Sequence, residues 1–256
     1  MSPVGAVVRK ELRTYFASPI AYVVAGVFLL LLGLLLFLPI LAISNQSLQM
    51  LRLQGNLPDI NLNQLVLRPA FANMAVVMLL LVPMLTMRLF AEEKKLKTME
   101  LLLTSPLTIT DIVVGKFVAA FAVFAGMLAL TALGTAALGA IADLRWAPVG
   151  TAYLGVLLLG GVFLSVGLLA SGLTENQVIA VVLSFGFLLL IWLFDWVGQL
   201  VGESPFGKLL SYLSPLGHFD NLVKGLVDTK DLVYFAAAII FSLFLTHRVI
   251  ESQRWR

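Results

Sequence analysis

The sequence predicts an all-α integral membrane protein with six transmembrane helices. Composition is the first observation behind this. Of 256 residues, 60% are hydrophobic and only 12% are charged, with a mean hydropathy of +1.00. A soluble domain carries about 25% charged residues. The second is arrangement: the apolar residues form long unbroken runs, as spanning helices require, and do not alternate as barrel strands do. The third is that basic residues cluster beside those runs. The net charge of +3 and a pI near 9.3 therefore describe membrane flanks and not a nucleic-acid surface. There are no cysteines, so disulfides and thiolate metal sites are excluded.

The chain reads as one membrane domain, 1–256. Residues 3–17 form the first element. Val4, Val7, Val8, Leu12, Tyr15 and Phe16 share one helical face, while Arg9, Lys10 and Arg13 fall elsewhere. This is the pattern of an amphipathic helix lying flat on a membrane surface. Ser18-Pro19 ends it and starts the first span. Spans are expected at about 20–43, 69–90, 113–142, 147–173, 176–198 and 231–249. The first apolar run is too long for a signal-peptide core of about 7–15 residues and is read as a retained span. The sixth, 232–246, is short and needs Lys230 or Arg248 to snorkel.

Orientation follows from the basic residues. With the N-terminus inside, the inner side holds Arg9, Lys10, Arg13, Arg88, Lys94, Lys95, Lys97, Lys116, Arg248, Arg254 and Arg256. The outer side holds Arg52, Arg68, Arg145, Lys208, Lys224 and Lys230. That bias places both termini in the cytoplasm.

Three connections carry pattern. Residues 44–67 are rich in Asn, Gln and Leu, with Pro58. Segment 91–111 is too long for a simple turn. It opens on a charged stretch, continues through Met99, Leu101, Leu102 and Leu103, breaks at Ser105-Pro106, and offers Thr110 or Asp111 as a helix cap. It reads either as a docking element or as an ordinary loop with a charged helix end. Residues 203–229 are punctuated by Ser204-Pro205, Ser214-Pro215 and Gly217, and their apolar content exceeds that of a solvated loop. Two short amphipathic helices dipping into the outer leaflet would bury it.

No catalytic site is legible. Residues 202–208 match the GxxxxGK spacing of a phosphate loop, but Leu209 replaces the Ser or Thr that ligates Mg²⁺ and Pro205 removes an amide. His218 and His247 belong to no metal-ligand spacing. Asp195, beside Trp192 and Trp196, and Pro83, inside the second span, are the candidates for an interfacial or gating role. Gly161, Ser165, Gly167, Ser171, Ala132, Ala136 and Ala140 permit close helix packing. An ion-driven transporter would show inverted repeats and midplane polar residues; neither is visible.

Several segments together carry a resemblance. Val8-Arg9-Lys10-Glu11-Leu12 leads to Tyr15-Phe16-Ala17-Ser18-Pro19. Glu92-Glu93-Lys94 is followed by Thr98-Met99-Glu100-Leu101-Leu102-Leu103-Thr104-Ser105-Pro106-Leu107, and Leu213-Ser214-Pro215-Leu216 precedes the last span. The whole chain resembles ABC-2 type (type V exporter-like) permeases, in particular the gliding-motility-associated and nitrous-oxide-reductase-maturation subgroup. The resemblance implies an elbow helix at 3–17 carrying Arg9, Lys10 and Arg13, and outer re-entrant helices at 203–229. It also implies a coupling segment at 91–111. There Glu92, Glu93, Lys94, Lys97, Thr98, Glu100, Leu101, Leu102, Thr104, Ser105 and Pro106 would meet an ATPase. The implied partners are two copies of a cytoplasmic ATP-binding-cassette ATPase, a second permease copy or paralogue, and membrane lipid. ATP and Mg²⁺ would sit on the ATPase, with no cofactor, metal or catalytic residue in this chain. The implied setting is a bacterial inner membrane, and the implied task is export of a cargo that the resemblance does not name; the apolar spans point to an amphiphilic one. A scaffold or signalling subunit that partners an ATPase without moving cargo is the alternative.

Overall fold

The structure, a computed structural model, describes residues 2–52, 62–104, 106–141, 144–202 and 204–253. All regular structure among them is helical: α1 (Pro3–Ala17), α2 (Pro19–Arg52), a π-helical turn (Asn63–Leu67), α3 (Arg68–Thr86), α4 (Arg88–Lys95), α5 (Met99–Leu103), α6 (Ile109–Ile141), α7 (Trp146–Leu173), α8 (Gln177–Val201), α9 (Pro205–Leu213), α10 (Pro215–Val223) and α11 (Thr229–Gln253). Six of the helical stretches are long and apolar enough to cross a membrane: α2, α3 continued into α4, α6, α7, α8 and α11.

Ser-Pro dipeptides set several helix starts. Proline at the first helical position loses no hydrogen bond, and the preceding serine can cap the first turn. Helices α1, α2, α9 and α10 all begin at the proline of such a pair. Ser2, Ser204 and Ser214 accept from the amides of Gly5, Gly207 and Leu216. The Ser105-Pro106 pair starts no helix; Ser105 itself lies outside the described residues. Instead Thr108 caps α6. Its hydroxyl accepts from the Asp111 amide at 3.1 Å, and Asp111 Oδ2 accepts from the Thr108 amide at 3.1 Å. The expected cap, Thr110 or Asp111, is corrected to this reciprocal box, with Asp111 as the returning partner.

Two helices outrun the expected spans. α2 continues through Pro39 to Arg52, so much of the 44–67 connection is helical; Pro58 and the rest of 53–61 lie outside the described residues. α11 runs 25 residues, Thr229–Gln253. The sixth span is therefore not short. Arg248 and His247 each pair with Glu251 one turn on, at 2.8 and 3.9 Å, and Arg248 lies 5.2 Å from the Phe244 ring. These contacts carry the helix past the end of the apolar run.

α7 is the centre of the bundle, packed against α3, α6, α8, α10 and α11. In its apolar window 78% of residues are buried, against 17% for α2 and for α8 and 22% for α11. Small residues on α7 make this possible. Gly160 receives the Phe124 ring of α6, Gly161 receives Ile239 of α11, and Gly167 receives Thr86 of α3. Phe124 also meets Phe28 of α2 edge-on at 6.2 Å. A polar knot ties α6 to α7: the Tyr153 hydroxyl lies 3.2 Å from Thr131 Oγ1 and 2.8 Å from Thr135 Oγ1. Asn63 closes one end, donating to the Arg145 carbonyl at 2.9 Å and accepting from its amide at 3.1 Å.

Helices α1, α4 and α5 gather at the end of the bundle where α7 and α11 finish. Helices α9 and α10 gather at the opposite end, where Phe219 and Leu222 pack against Gly155 and Gly225 packs against Pro148.

Candidate functional site

The α3–α4 junction is held by groups from other helices. Pro83 is buried in α3 and has no amide to give the preceding turn. Thr86 turns its hydroxyl back to the Val82 and Pro83 carbonyls, at 3.2 and 3.3 Å. From α1, the Tyr15 hydroxyl donates to the Leu85 carbonyl at 2.8 Å. From α7, the Ser171 hydroxyl accepts from the amides of Phe90 and Ala91, at 3.0 and 3.1 Å, and donates to the Met87 carbonyl at 2.9 Å. Orphan groups at a helix end need such partners when buried. Ser171 had been expected only to permit close packing. Here it is the cap of α4, supplied from another helix.

α4 ends in a Schellman motif. The Lys97 amide donates to Lys94 O at 3.0 Å and the Thr98 amide to Glu93 O at 2.9 Å. Lys97 sits at φ 56°, a left-handed conformation that costs a residue with a Cβ about 1–2 kcal/mol. α10 makes the same turn with Gly225, φ 88°, where no such cost arises. The turn at Lys97 swings the chain into α5. Met99 is buried and Leu102 packs against the core. Leu96 and Leu101, by contrast, are 63% and 73% exposed. Lys95, Glu100, Thr104 and Pro106 are exposed as well.

Beneath this exposed tip lies a charged joint between three helices. Lys116 of α6 is 1% exposed. Its ammonium donates to Glu11 Oε1 of α1 at 2.8 Å and to the Leu89 carbonyl of α4 at 2.6 Å. It lies 2.9 Å from Glu93 Oε2, a charge contact without hydrogen-bond alignment. Lys10 closes the network on the other oxygen of Glu93, at 2.5 Å. Two cations thus face two carboxylates. Burial works against the charge on Lys10, but the hydrogen bond and charge of Glu93, aided by Glu11, outweigh it and hold the ammonium above the ordinary lysine pKa. Close by, Arg88 pairs with Glu92 at 3.1 Å and also reaches the Ser18 hydroxyl. A cavity of about 260 Å³ opens between these groups, with Leu96 and Thr98 on its rim.

This geometry separates the expected coupling residues into two sets. Glu92, Glu93 and Lys94 have partners within the chain: Lys94 donates to the Gly172 carbonyl at the end of α7, which also accepts from Gln253 at 3.1 Å. Lys97, Glu100, Leu101, Thr104 and Pro106 face outward, and the Thr98 hydroxyl donates to Glu93 O at 3.2 Å. On α1, Arg9 and Arg13 are exposed, while Lys10 belongs to the joint. The buried face of α1 is Val7, Glu11 and Tyr15, and Phe16 is 63% exposed. The stripe expected to meet the membrane is therefore split. Val7 instead rests on Gly115 of α6, where an added Cβ would come within 2.7 Å. Asp195 is far from the joint, half-buried on α8, and accepts from Gln199 at 2.8 Å.

Glu11 and Lys116 were missed as site residues, although each leaves a signal. Glu11 stands one turn from Val7 and from Tyr15, inside the apolar stripe. Lys116 is in register with Ile112 and Ala120 on the buried face of α6. An ionisable residue on the packed face of a membrane helix marks a site and a partner.

A family model described as "ABC-2 family transporter protein" matches residues 5–249. A comparison with curated proteins finds no match. The match runs from α1 almost to the end of α11 and so takes in the six long apolar helices and the charged joint alike. This multi-pass membrane chain belongs to the ABC-2 transporter family, whose members are in general the membrane subunits of ABC transporters, with ATP hydrolysis on a separate ABC ATPase.

Proposed function

We propose that this chain is one of two permease subunits of an ATP-driven exporter in a bacterial inner membrane, with both termini cytoplasmic, and that α4–α5 is its coupling segment. The observation that carries the proposal is the pairing of an exposed apolar tip with a buried ionic joint. Leu96 and Leu101 are exposed, and single apolar residues flanked by Lys97 and Glu100 fit a groove on a partner. Directly behind them, Glu93 is ion-paired to α1 and α6. A push on the tip would reach three helices at once. Membership of the gliding-motility-associated or nitrous-oxide-reductase-maturation subgroup would fit the same residues.

In the proposed cycle, ATP and Mg²⁺ bind to two ATPase subunits, which close and press on α5 of each permease copy. Tip residues Lys97, Glu100 and Leu101 take the load. The joint of Lys10, Glu11, Glu93 and Lys116 passes it to α6, and Ser171 passes it to α7. The seam between the two copies opens, and an amphiphilic cargo leaves through it. α2, α8 and α11, the least buried spans, supply faces for the second copy and for lipid.

The test is co-purification from native membranes with an ATPase assay. A P-loop ATPase should be recovered with the wild-type chain and lost with Glu100→Arg/Leu101→Asp, while thermal unfolding of the permease is unchanged. Leu101 is chosen over Leu102 because Leu102 packs against the core. Undiminished ATPase recovery with the double variant would sink the coupling assignment.

A further inference from the structure

The end of the bundle opposite the charged joint holds an open cavity of about 560 Å³ between the end of α8, α9, α10 and the start of α11. Its floor is a buried polar contact. His218 Nδ1 lies 2.6 Å from Asp231 Oδ1, and Nε2 lies 3.1 Å from the Tyr212 carbonyl. Asn221 donates to the other Asp231 oxygen at 3.1 Å. The Tyr234 ring stacks on the imidazole with centroids 4.1 Å apart, and its hydroxyl donates to Leu213 O at 2.6 Å. Both imidazole nitrogens lie within hydrogen-bond distance of oxygens on neighbouring elements. A buried pair of this kind adds little stability that apolar packing would not supply. What it does here is fix α9, α10 and α11 around an open space.

The walls supply donors. Lys208 of α9 has no ion pair among the described residues, and Ser211, one turn on, has no hydrogen bond from its hydroxyl among them. Lys230, from the first turn of α11, is 70% exposed and among the described residues pairs with Asp228 at the surface, a contact that occupies one of its three donor hydrogens. Two lysines and a serine line this one space, and ammonium and hydroxyl groups are the donor set for a phosphate group. α9 is brought in by glycine: a Cβ at Gly198 would overlap Ser211, and one at Gly207 would overlap the Gly202 carbonyl. Residues 202–208, which carry a false phosphate-loop spacing, are used this way. Gly202 turns the chain at φ 71°, and Gly207 lets α9 lie backbone to backbone on α8; Glu203 lies outside the described residues. The opposite face of α9 exposes Phe206 and Leu209, at 60% and 53%, an apolar surface beside the cavity mouth.

We propose that this cavity binds a phosphate group carried on the polar head of an anionic amphiphile, with Lys208, Lys230 and Ser211 as donors and its chains along the apolar face of α9. An interfacial lysine touches any headgroup as it snorkels; a built cavity with a fixed floor discriminates among them. The site is independent of the transport reading and exists whether or not an ATPase engages the other end.

The experiment is native mass spectrometry of the purified full chain, released from nanodiscs of phosphatidylcholine containing a minor fraction of phosphatidylglycerol. Wild-type protein should retain phosphatidylglycerol over phosphatidylcholine by at least tenfold relative to supply. Lys208→Gln/Lys230→Gln should lose that preference, and Lys208→Gln alone, which breaks no ion pair among the described residues, should lose most of it. Lys224→Gln, whose lysine pairs with Asp220 outside the cavity, should keep it. Inorganic phosphate is the second arm. If millimolar phosphate displaces the retained lipid, the phosphate group alone is recognised; if it does not, the amphiphile is recognised as a whole. Either result supports the site. Equal retention of the two lipids, or an undiminished preference in Lys208→Gln, overturns it. Phosphate binding without lipid preference overturns the amphiphile as its source.

Discussion

At the scale of the residue, Lys116 has the largest consequence in the chain. Removing one partner of a buried ion pair leaves charge stranded and costs about 3–5 kcal/mol. Lys116→Met should therefore destabilise by about that amount, because it removes the buried cation of the joint and leaves Glu11 and Glu93 to share the half-exposed Lys10. Glu11→Gln/Lys116→Met should recover much of the loss, since Lys10 and Glu93 remain as a pair. Thermal unfolding in detergent, monitored by static light scattering, separates the two. If this double variant is as unstable as the single one, the joint is not an electrostatic unit. Lys97 gives a prediction of opposite sign. Its left-handed backbone should be relieved by Lys97→Gly, raising stability by about 1 kcal/mol. If the lysine charge also serves the proposed docking, the same variant lowers ATPase stimulation while the protein itself becomes more stable.

At the scale of the element, helix ends and close approaches carry the predictions. Thr108→Ala removes one half of the reciprocal cap on α6 and should cost about 1 kcal/mol, with Thr108→Ser close to neutral. Hydrogen–deuterium exchange should localise the effect to the first turn of α6. Gly167→Val drives a side chain into Thr86, whose Cβ would stand 2.9 Å away, and should cost about 1–3 kcal/mol by overpacking. Gly126→Val, with nothing within 4 Å, is the control and should fall within about 0.5 kcal/mol of wild type. Equal effects at the two positions would mean that α3 and α7 can separate without cost. The same reasoning explains why α11 exceeds its apolar run. Its last turns are held by Glu251 and by the Gln253 bond to Gly172, which hydropathy does not register.

At the scale of the whole molecule, the absence of native cysteines makes orientation directly measurable. Single cysteines at Leu96 and Tyr212 lie at opposite ends of the bundle. An impermeant maleimide applied to intact cells should label the residue 212 variant and leave the residue 96 variant unlabelled until the membrane is opened. Labelling of residue 96 from outside would reverse the proposed topology and detach α5 from any cytoplasmic ATPase. The uneven burial of the spans, with α7 enclosed and α2, α8 and α11 open, is the expected shape of a protomer with further surfaces to cover. Cross-linking through single cysteines on the exposed face of α8, at Val182 and Leu190, checks whether one of these surfaces meets a second copy.

The sequence by itself determined the class, the number of long apolar helices and most of their starts. Those properties depend on local quantities: the length of an apolar run against the thickness of a bilayer, and the Ser-Pro pairs that open α1, α2, α9 and α10. Only the tertiary structure decided which polar residues act together. Glu11, Glu93 and Lys116 stand 82, 23 and 105 positions apart pairwise, and no local period links them. They meet because Gly115 lets α1 lie on α6 and because the α3–α4 break turns Glu93 inward. His218, Asp231 and Lys208 likewise share a cavity only because Gly198 and Gly207 bring α9 onto α8. Charge and packing act through space, so a sequence can show that an ionisable group lies on an apolar face without showing what it faces.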